Sequence, residues 1–320
     1  MENVTTPDNA VSLSRLISEN PAGVLGEKIL KTYGQTMHLL LKFTQALGNS
    51  FQLHIPDGMN HPHWKPKPES WYYFEPGLMT CGVRSDANWK EYQIAMTELD
   101  VRIQKIAQQV QSGSLTYTSS QEQISSQITK YNPWQYVNLV RVDKGTLLDL
   151  SPCGIHHSWE EDLATIPLGN VLYEIQLNVM DDVATLRSFD KGKMSKDGKL
   201  RPLQIDDYFA FADKSIEVND PKTHMRKAKI VEKTDQYRFE RILETKYYSM
   251  DRITFDSNGS DFVSRIDTFR HLFVSGGSID LTVGSDVLTV TKGHSAFIQA
   301  ECTEYMVRSK LPDTEVLISY

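Results

Sequence analysis

The sequence predicts a mainly β protein of two jelly-roll units, each a double-stranded β-helix barrel, with helical insertions. Three observations predict it. The last quarter of the chain is a series of short strand patterns at regular spacing, separated by Gly276-Gly277, Gly284 and Lys292-Gly293 turns. The first half carries a comparable order of strand, Lys144-Gly145 turn, strand and Pro152-Cys153-Gly154 turn, without detectable repetition of sequence. A chain of 320 residues with 40 % hydrophobic positions, among them 12 Phe, 14 Tyr and 5 Trp, can fill two such interiors and lies far from the composition of disorder.

The elements follow in order. Leu13 to Glu19 has helical spacing and is broken by Asn20-Pro21; Val24 to Tyr33 predicts a second helix stopped by Gly34. These pack outside a sheet and define an N-terminal helical segment, residues 1–36. From Met37 a dense apolar run gives way to alternation in Ser50 to His54, which predicts strands ended by Pro56-Asp57-Gly58. A His- and Pro-rich loop leads to a further strand in Lys67 to Phe74, whose aromatic end has high β propensity. Residues 92–112 and 119–131 predict a helical insertion within about 90–132, its second helix capped by Ser119 or Ser120 and stopped before Asn132-Pro133. Strands resume at Val137 to Val142, Thr146 to Leu150 and Val171 to Leu177, completing a first jelly-roll domain over residues 37–202. A hydrophilic loop at 190–201 and a helix at Ile205 to Ala212 precede the charged, aperiodic residues 213–236, so 203–240 reads as a helical and linker segment. The second jelly roll, residues 241–320, takes strands at Tyr247 to Phe255, His271 to Ser275, Ser278 to Val283, Val287 to Val290, Ser295 to Gln299 and Glu315 to Ser319.

Charge narrows the function. With 34 Lys+Arg against 41 Asp+Glu the formal charge is -7, so no broad basic footprint for nucleic acid or an anionic membrane is expected, and small-molecule chemistry is. Cys81, Cys153 and Cys302 are distant from one another and odd in number, which fits a reducing, cytoplasmic setting rather than a disulfide framework. Met1 to Ala10 lacks a basic region followed by an apolar one, and no window approaches the roughly 18 apolar residues of a membrane span.

The chemistry-bearing residues share strand faces. Ser50, Gln52 and His54 are two apart on one predicted strand and point the same way; Lys67 and Glu69 do so on the next; His157 follows the Pro152-Cys153-Gly154 turn. Gln52, His54, Glu69 and His157 would offer two imidazole nitrogens and two oxygens, a donor set for zinc first and for manganese or iron(II) as well. Taken singly, His54 reads equally as a hydrogen-bonded barrel histidine and Glu69 as an ion-paired surface residue. His156 and His157 alternate in direction, so at most one faces inward, and His156 is assigned to structure. His61 and His63 read as loop residues.

Together these runs resemble a family. Gln52-Leu-His54, Lys67-Pro-Glu69, Gly77-Leu-Met-Thr-Cys-Gly-Val83, Pro152-Cys-Gly-Ile-His-His157, Thr185-Leu-Arg187-Ser-Phe-Asp190 and Asp197-Gly-Lys-Leu-Arg-Pro-Leu203 are similar in order and spacing to the type I mannose-6-phosphate isomerases of the cupin superfamily. The resemblance implies that Gln52, His54, Glu69 and His157 are metal ligands, that Lys67 and Arg187 lie in the active site, and that Ser50 meets the substrate phosphate. It implies interconversion of an aldose phosphate and a ketose phosphate by proton transfer between C2 and C1 through an enediol or enediolate. In that chemistry Arg187 would offset negative charge at the sugar oxygens, and Lys67 would donate or relay a proton where burial beside a cation lowers its pKa.

The chain departs from the family pattern at several points. The N-terminal Trp-Gly-Gly and Gly-Glu-x-Trp-Glu strands are absent before Val11, and Leu47 stands where a phosphate-binding lysine is usual. Ser158 to Gly169 is longer and more acidic, so Glu160, Glu161 and Asp162 either overhang the pocket and repel phosphate or form a solvated loop. The interval from Glu174 to Arg187 is also a few residues longer, which leaves Glu174 outside the assigned set. The second jelly roll has no comparable ligand group and reads as structural or as an oligomer contact. The sequence therefore predicts a metal-dependent sugar isomerase, monomeric or homodimeric, acting on a small sugar or sugar phosphate. An isomerase of an unphosphorylated sugar and a non-catalytic, metal-bound, sugar-sensing cupin are the alternatives; Lys67 and Arg187 beside the ligand set favour an enzyme.

Overall fold

The structure is a computed structural model and describes residues 10–151, 154–155 and 158–320. The chain forms two units: the described residues up to Leu40 together with Lys227–Tyr320, and Leu41–Arg226. The first begins with three short helices, α1 (Leu13–Glu19), α2 (Pro21–Leu25) and α3 (Glu27–Tyr33). The single helix expected from Val24 to Tyr33 is thus two. Gly26 separates them at φ +91°, a conformation disfavoured for other residues, and a Cβ there would lie 2.6 Å from the Asp267 carbonyl.

The second unit carries β1 (Leu39–Ala46), β2 (Phe51–His54), β3 (Glu69–Tyr73), β4 (Gly77–Val83), α4 (Trp89–Gln111), α5 (Tyr117–Tyr131), β5 (Val137–Val142), β6 (Leu147–Asp149), β7 (Gly154–Ile155), β8 (Ser158–Trp159), β9 (Asn170–Leu177), β10 (Leu186–Phe189), α6 (Ile205–Phe211), α7 (Ile216–Asn219), α8 (Pro221–His224) and β11 (Met225–Arg226). Three sheets run β1-β9-β3-β6-β11, β10-β2-β7 and β5-β4-β8, with β9-β3-β6-β11 and the two smaller sheets antiparallel. Alternation orients β2. Phe51 and Leu53, with Ile55 beyond the strand end, pack into a core with Tyr92, Met96, Leu99 and Ile103 of α4, which recur at helical spacing, while Ser50, Gln52 and His54 face the other way. Burying each of those apolar side chains contributes about 2 kcal/mol, so register is strongly fixed: a one-residue slip would turn His54 into the helical core.

Several sequence expectations need correction in this unit. The cap of α5 is Thr116, which accepts from the Ser119 backbone, rather than Ser119 or Ser120. The supposed linker 213–236 contains α7, α8 and β11 and then a further strand. Asn219 anchors it by accepting from Val83 N–H at 2.8 Å, with its carbonyl taking the Asn138 amide at 2.9 Å. Gly82, at φ +72°, makes room for this contact, since a Cβ there would stand 2.2 Å from the Asn219 carbonyl.

The remaining strands belong to the first unit: β12 (Lys229–Lys233), β13 (Tyr237–Glu244), β14 (Ser249–Phe255), β15 (Asp261–Arg265), β16 (Arg270–Gly276), β17 (Ser278–Val283), β18 (Asp286–Thr291), β19 (Ser295–Ile298), β20 (Glu304–Ser309) and β21 (Thr314–Ser319). They form antiparallel sheets of order β12-β13-β14-β21-β16-β19 and β15-β20-β17-β18. Alternate residues, including Ile253, Phe255, Leu272, Val274, Ile279, Val307, Val316 and Ile318, make one apolar core. Among the described residues no helix is long and apolar enough to cross a membrane.

Candidate active site

Two sheets bring His54 and Glu69 together. Glu69 opens β3, and its register with Gln176 of β9, with Trp71 opposite Glu174, places Glu69, Gln176 and Glu174 on one face of that sheet. Further along the same face Trp71, Tyr73 and Leu172 join an apolar cluster with Met79, Leu148 and Leu150. One part of the face is therefore polar and buried, and the rest is packed shut. His54, on β2 in a different sheet, meets the polar part: its Nε2 lies 3.2 Å from Glu69 Oε2, and both side chains are buried.

The His54 tautomer follows from its other nitrogen. Nδ1 is 2.5 Å from the Ala184 carbonyl, an acceptor, so Nδ1 carries the hydrogen. A neutral ring then aims the Nε2 lone pair at a carboxylate oxygen. Two electron-rich atoms at that separation call for a positive charge between them, a second proton or a metal ion. A backbone carbonyl orienting the far nitrogen is also the usual support of a metal-binding imidazole. The donors thus suit a divalent ion of the zinc, manganese or iron(II) type. Gln52 lies on the same strand face as His54, half-buried and in register with Arg187. His157 lies outside the described residues, and among the described residues His, Cys, Asp and Glu form no group of three or more placed to hold a metal.

Lys67 is buried, and its ammonium contacts are carboxylates: Asp181 Oδ1 at 2.6 Å and Glu69 Oε2 at 3.9 Å. Asp181 opens a short 3₁₀ turn and also accepts from Thr185 Oγ1 at 3.3 Å; its Oδ2 is 3.9 Å from Arg187 Nη2. Burial acts to raise the Asp181 pKa, but the Lys67 hydrogen bond and charge outweigh it and hold the carboxyl below its ordinary value. Arg187 projects from β10 with Nη1 donating to the Thr185 carbonyl at 3.3 Å, and burial, aided by Arg201, lowers its pKa. Gln204 clamps its backbone in both directions, accepting Arg187 N–H at 3.2 Å and donating its own N–H to the Arg187 carbonyl at 2.9 Å. Ser50 is buried on the Gln52 and His54 face, and its Oγ has no hydrogen-bond partner among the described residues.

Three residues that the sequence reading left out of the site lie in it. Asp181 had no legible signal beyond an acidic pair after a strand. Glu174, placed outside on spacing, is buried on the Glu69 face, where burial first and the Glu69 charge second push its carboxyl up to about 7 against the pull of Lys42. Lys42 of β1 donates to Glu174 Oε1 at 3.1 Å and Gln176 Oε1 at 3.3 Å.

In the acidic stretch after β8, Glu161 and Asp162 lie at the surface as a solvated loop would place them, but Glu160 differs from both expectations. Glu160 neither overhangs a pocket nor meets solvent. It is buried and accepts from Trp134 Nε1 at 2.9 Å, Lys191 Nζ at 2.8 Å, Thr80 Oγ1 at 3.4 Å and Ser158 Oγ. Its charge is compensated by Lys191, so it is no bare anion facing a substrate. Glu161 is exposed, and Asp162 is paired with Arg141 at 3.4 Å.

In architecture the chain stands with β-rich proteins whose antiparallel sheets bury a polar face. Among solved structures the likeness is to mannose-6-phosphate isomerases. The enzyme from Bacillus subtilis matches with a TM-score of 0.67 and 17 % identity over 98 % of this chain and 83 % of that one. A mutant phosphomannose isomerase from Salmonella typhimurium matches at 0.62 and 15 %, over 97 % and 85 %. A zinc-bound mannose 6-phosphate isomerase matches at 0.62 and 14 %, over 97 % and 85 %. No family model matches the sequence, and no curated protein matches it. The fold is shared at low identity.

Proposed function

We propose that the chain is a metal-dependent aldose–ketose isomerase of the mannose-6-phosphate isomerase type, cytoplasmic and built on two cupin jelly rolls. It interconverts mannose 6-phosphate and fructose 6-phosphate, or a related sugar pair, by moving a proton between C2 and C1. One observation carries the reading: the buried His54–Glu69 pair spans two sheets directly beside the row Lys67–Asp181–Arg187. Gln52, His54, Glu69 and His157 are the residues that would hold the ion, zinc first. Bound there, it would supply Lewis-acid polarisation of a sugar oxygen.

The chain's own groups do the rest. Arg187, fixed by Gln204 and the Thr185 carbonyl, offsets the negative charge that develops on a sugar oxygen as the enediolate forms. Lys67, oriented by Asp181, donates and recovers a proton at that oxygen. Ser50 offers its hydroxyl to the substrate phosphate. Glu174 and Asp181 are the carboxylates at hand to take the C2 proton and return it at C1. A binding module has no evident use for this row of charged groups, which favours catalysis over sensing.

The test is proton NMR in D2O on zinc-reconstituted protein, following ketose formation and loss of the C2 proton signal with mannose 6-phosphate and, separately, free mannose. Conversion of the ester is expected. Conversion of mannose alone would move the assignment to a free-sugar isomerase, in line with Leu47, and no reaction of either sugar with metal-loaded protein would exclude both as substrates and leave another sugar pair or a sugar sensor, which ligand screening separates. His157→Ala should abolish metal retention; a variant that keeps its full metal content removes His157 from the ligand set.

A further inference from the structure

The unit that contains β12 to β21 has a cleft of its own, of about 150 Å³, between α3 and the turn joining β13 to β14. Its walls include Lys28, Tyr33, Lys246, Tyr247, Asp267 and Tyr320. Two lysines, one aspartate and three phenol rings thus line one cleft, and the Lys246 ammonium lies over the Tyr247 ring, 5.0 Å from its centre.

The rings are held in advance of any ligand. Tyr33 stacks on His38, centroids 4.2 Å apart at 12°, and His38 meets Phe269 edge-on at 5.9 Å. His38 is buried and its pKa is pushed down to about 4 by that burial, so it backs Tyr33 as a neutral ring. Tyr320 has the Arg270 guanidinium 3.7 Å from its ring centre, donates its hydroxyl to Asp251 at 3.0 Å and accepts from Arg241 at 2.7 Å. The turn bearing Lys246 and Tyr247 is fixed by Thr245, whose Oγ1 accepts the backbone N–H of Tyr247 at 3.1 Å and of Tyr248 at 3.0 Å. Fixed walls reduce the ordering cost of binding.

We propose that this cleft binds a phosphomonoester carried on a ring, the phosphate between Lys28 and Lys246 and the ring against the tyrosines. Ammonium groups select the phosphate as point charges, and the tyrosine faces accept either a sugar ring or a nucleobase. The site is separate from the His54 and Glu69 residues and does not depend on the isomerase reading. Its ligand chemistry is common to hexose phosphates and nucleoside monophosphates.

Calorimetric titration of the full chain with mannose 6-phosphate, adenosine 5′-monophosphate and inorganic phosphate tests it, using Arg187→Ala protein to suppress turnover. At least one ester should bind, and Lys28→Glu with Lys246→Glu should weaken it about ten-fold or more. Binding of the sugar ester alone assigns a sugar phosphate, and binding of the adenosine ester alone assigns a nucleotide. Inorganic phosphate as tight as either ester would overturn the role of the ring. Affinity unmoved by the two lysine changes, or no ester binding up to about 10 mM, would overturn the site. Both lysines are exposed, so charge reversal leaves the core intact, which a circular-dichroism melt verifies.

Discussion

Lys67 Nζ and Asp181 Oδ1 meet at 2.6 Å although the residues are 114 positions apart. Through its other oxygen Asp181 also stands 3.9 Å from Arg187, so one carboxylate organises both cations of the proposed catalytic row. Asp181→Asn keeps the shape and removes the charge. Turnover should fall on the order of 10- to 100-fold, because Lys67 loses its orienting partner, while metal content stays unchanged. Steady-state kinetics beside metal analysis checks this; a loss of metal in parallel with activity would assign Asp181 to the ligand shell instead.

His54 and Glu69 carry the metal reading, and they separate metal binding from folding. Glu69→Gln retains volume and an acceptor oxygen but leaves the His54 lone pair without a charged neighbour. Metal affinity should drop by about 100-fold or more, with a melting temperature in metal-free buffer equal to or above that of the parent, since a buried anion has been removed. Equal metal affinity in parent and variant, measured by competition with a chelator, would rule out Glu69 as a ligand.

The legible parts of this fold are those where burial is one-sided. In β2 the alternation of Phe51 and Leu53 with Gln52 and His54 survives in the sequence because one face meets the helices and the other the polar interior. In β4 every residue from Gly77 to Val83 is buried, so the period vanishes and the strand goes unread. Strand β13 is hidden for the opposite reason: Glu240 and Arg241 face Arg252 and Asp251 across the ladder, and these charged pairs look like loop residues in sequence. Asp181 and Lys42 could not be found from sequence because each acts through a partner more than a hundred positions away, Lys67 and Glu174. In sequence Glu160 reads as part of an acidic run, over a pocket or in a solvated loop, because its compensating Lys191 comes from a turn 31 positions away.

That Glu160–Lys191 pair has a measurable cost when broken. Burial lowers the Lys191 pKa, and its charged form depends on Glu160. Glu160→Ala leaves an uncompensated, largely buried ammonium and strips the Trp134 indole N–H of its acceptor, which should destabilise the protein by about 3–5 kcal/mol in urea unfolding. The double variant Glu160→Gln with Lys191→Met should recover most of that loss. If the double variant is as unstable as the single one, the damage comes from lost packing and not from the stranded charge.

Two histidines, His38 buried and His271 half-buried, set an acid limit on the unit that holds β12 to β21. Burial pushes the pKa of His38 down to about 4 and that of His271, on β16, down to about 4 as well. In the unfolded chain each binds its proton near the ordinary value of about 6.5, so between those values the unfolded state holds more protons. The stabilisation is therefore complete above about pH 6.5 and is lost as pH falls toward 4, by on the order of 2–3 kcal/mol for each histidine. Glu174, pushed up to about 7, takes up a proton in the folded state over the same range and acts with the opposite sign, so the comparison is made in a Glu174→Gln background. There urea unfolding at pH 7, 6 and 5 should show stability declining. His38→Phe keeps a flat ring against Tyr33 and should remove about half of the decline, whereas Glu174→Gln protein equally stable at pH 5 and pH 7 would show that neither ring is held neutral by burial.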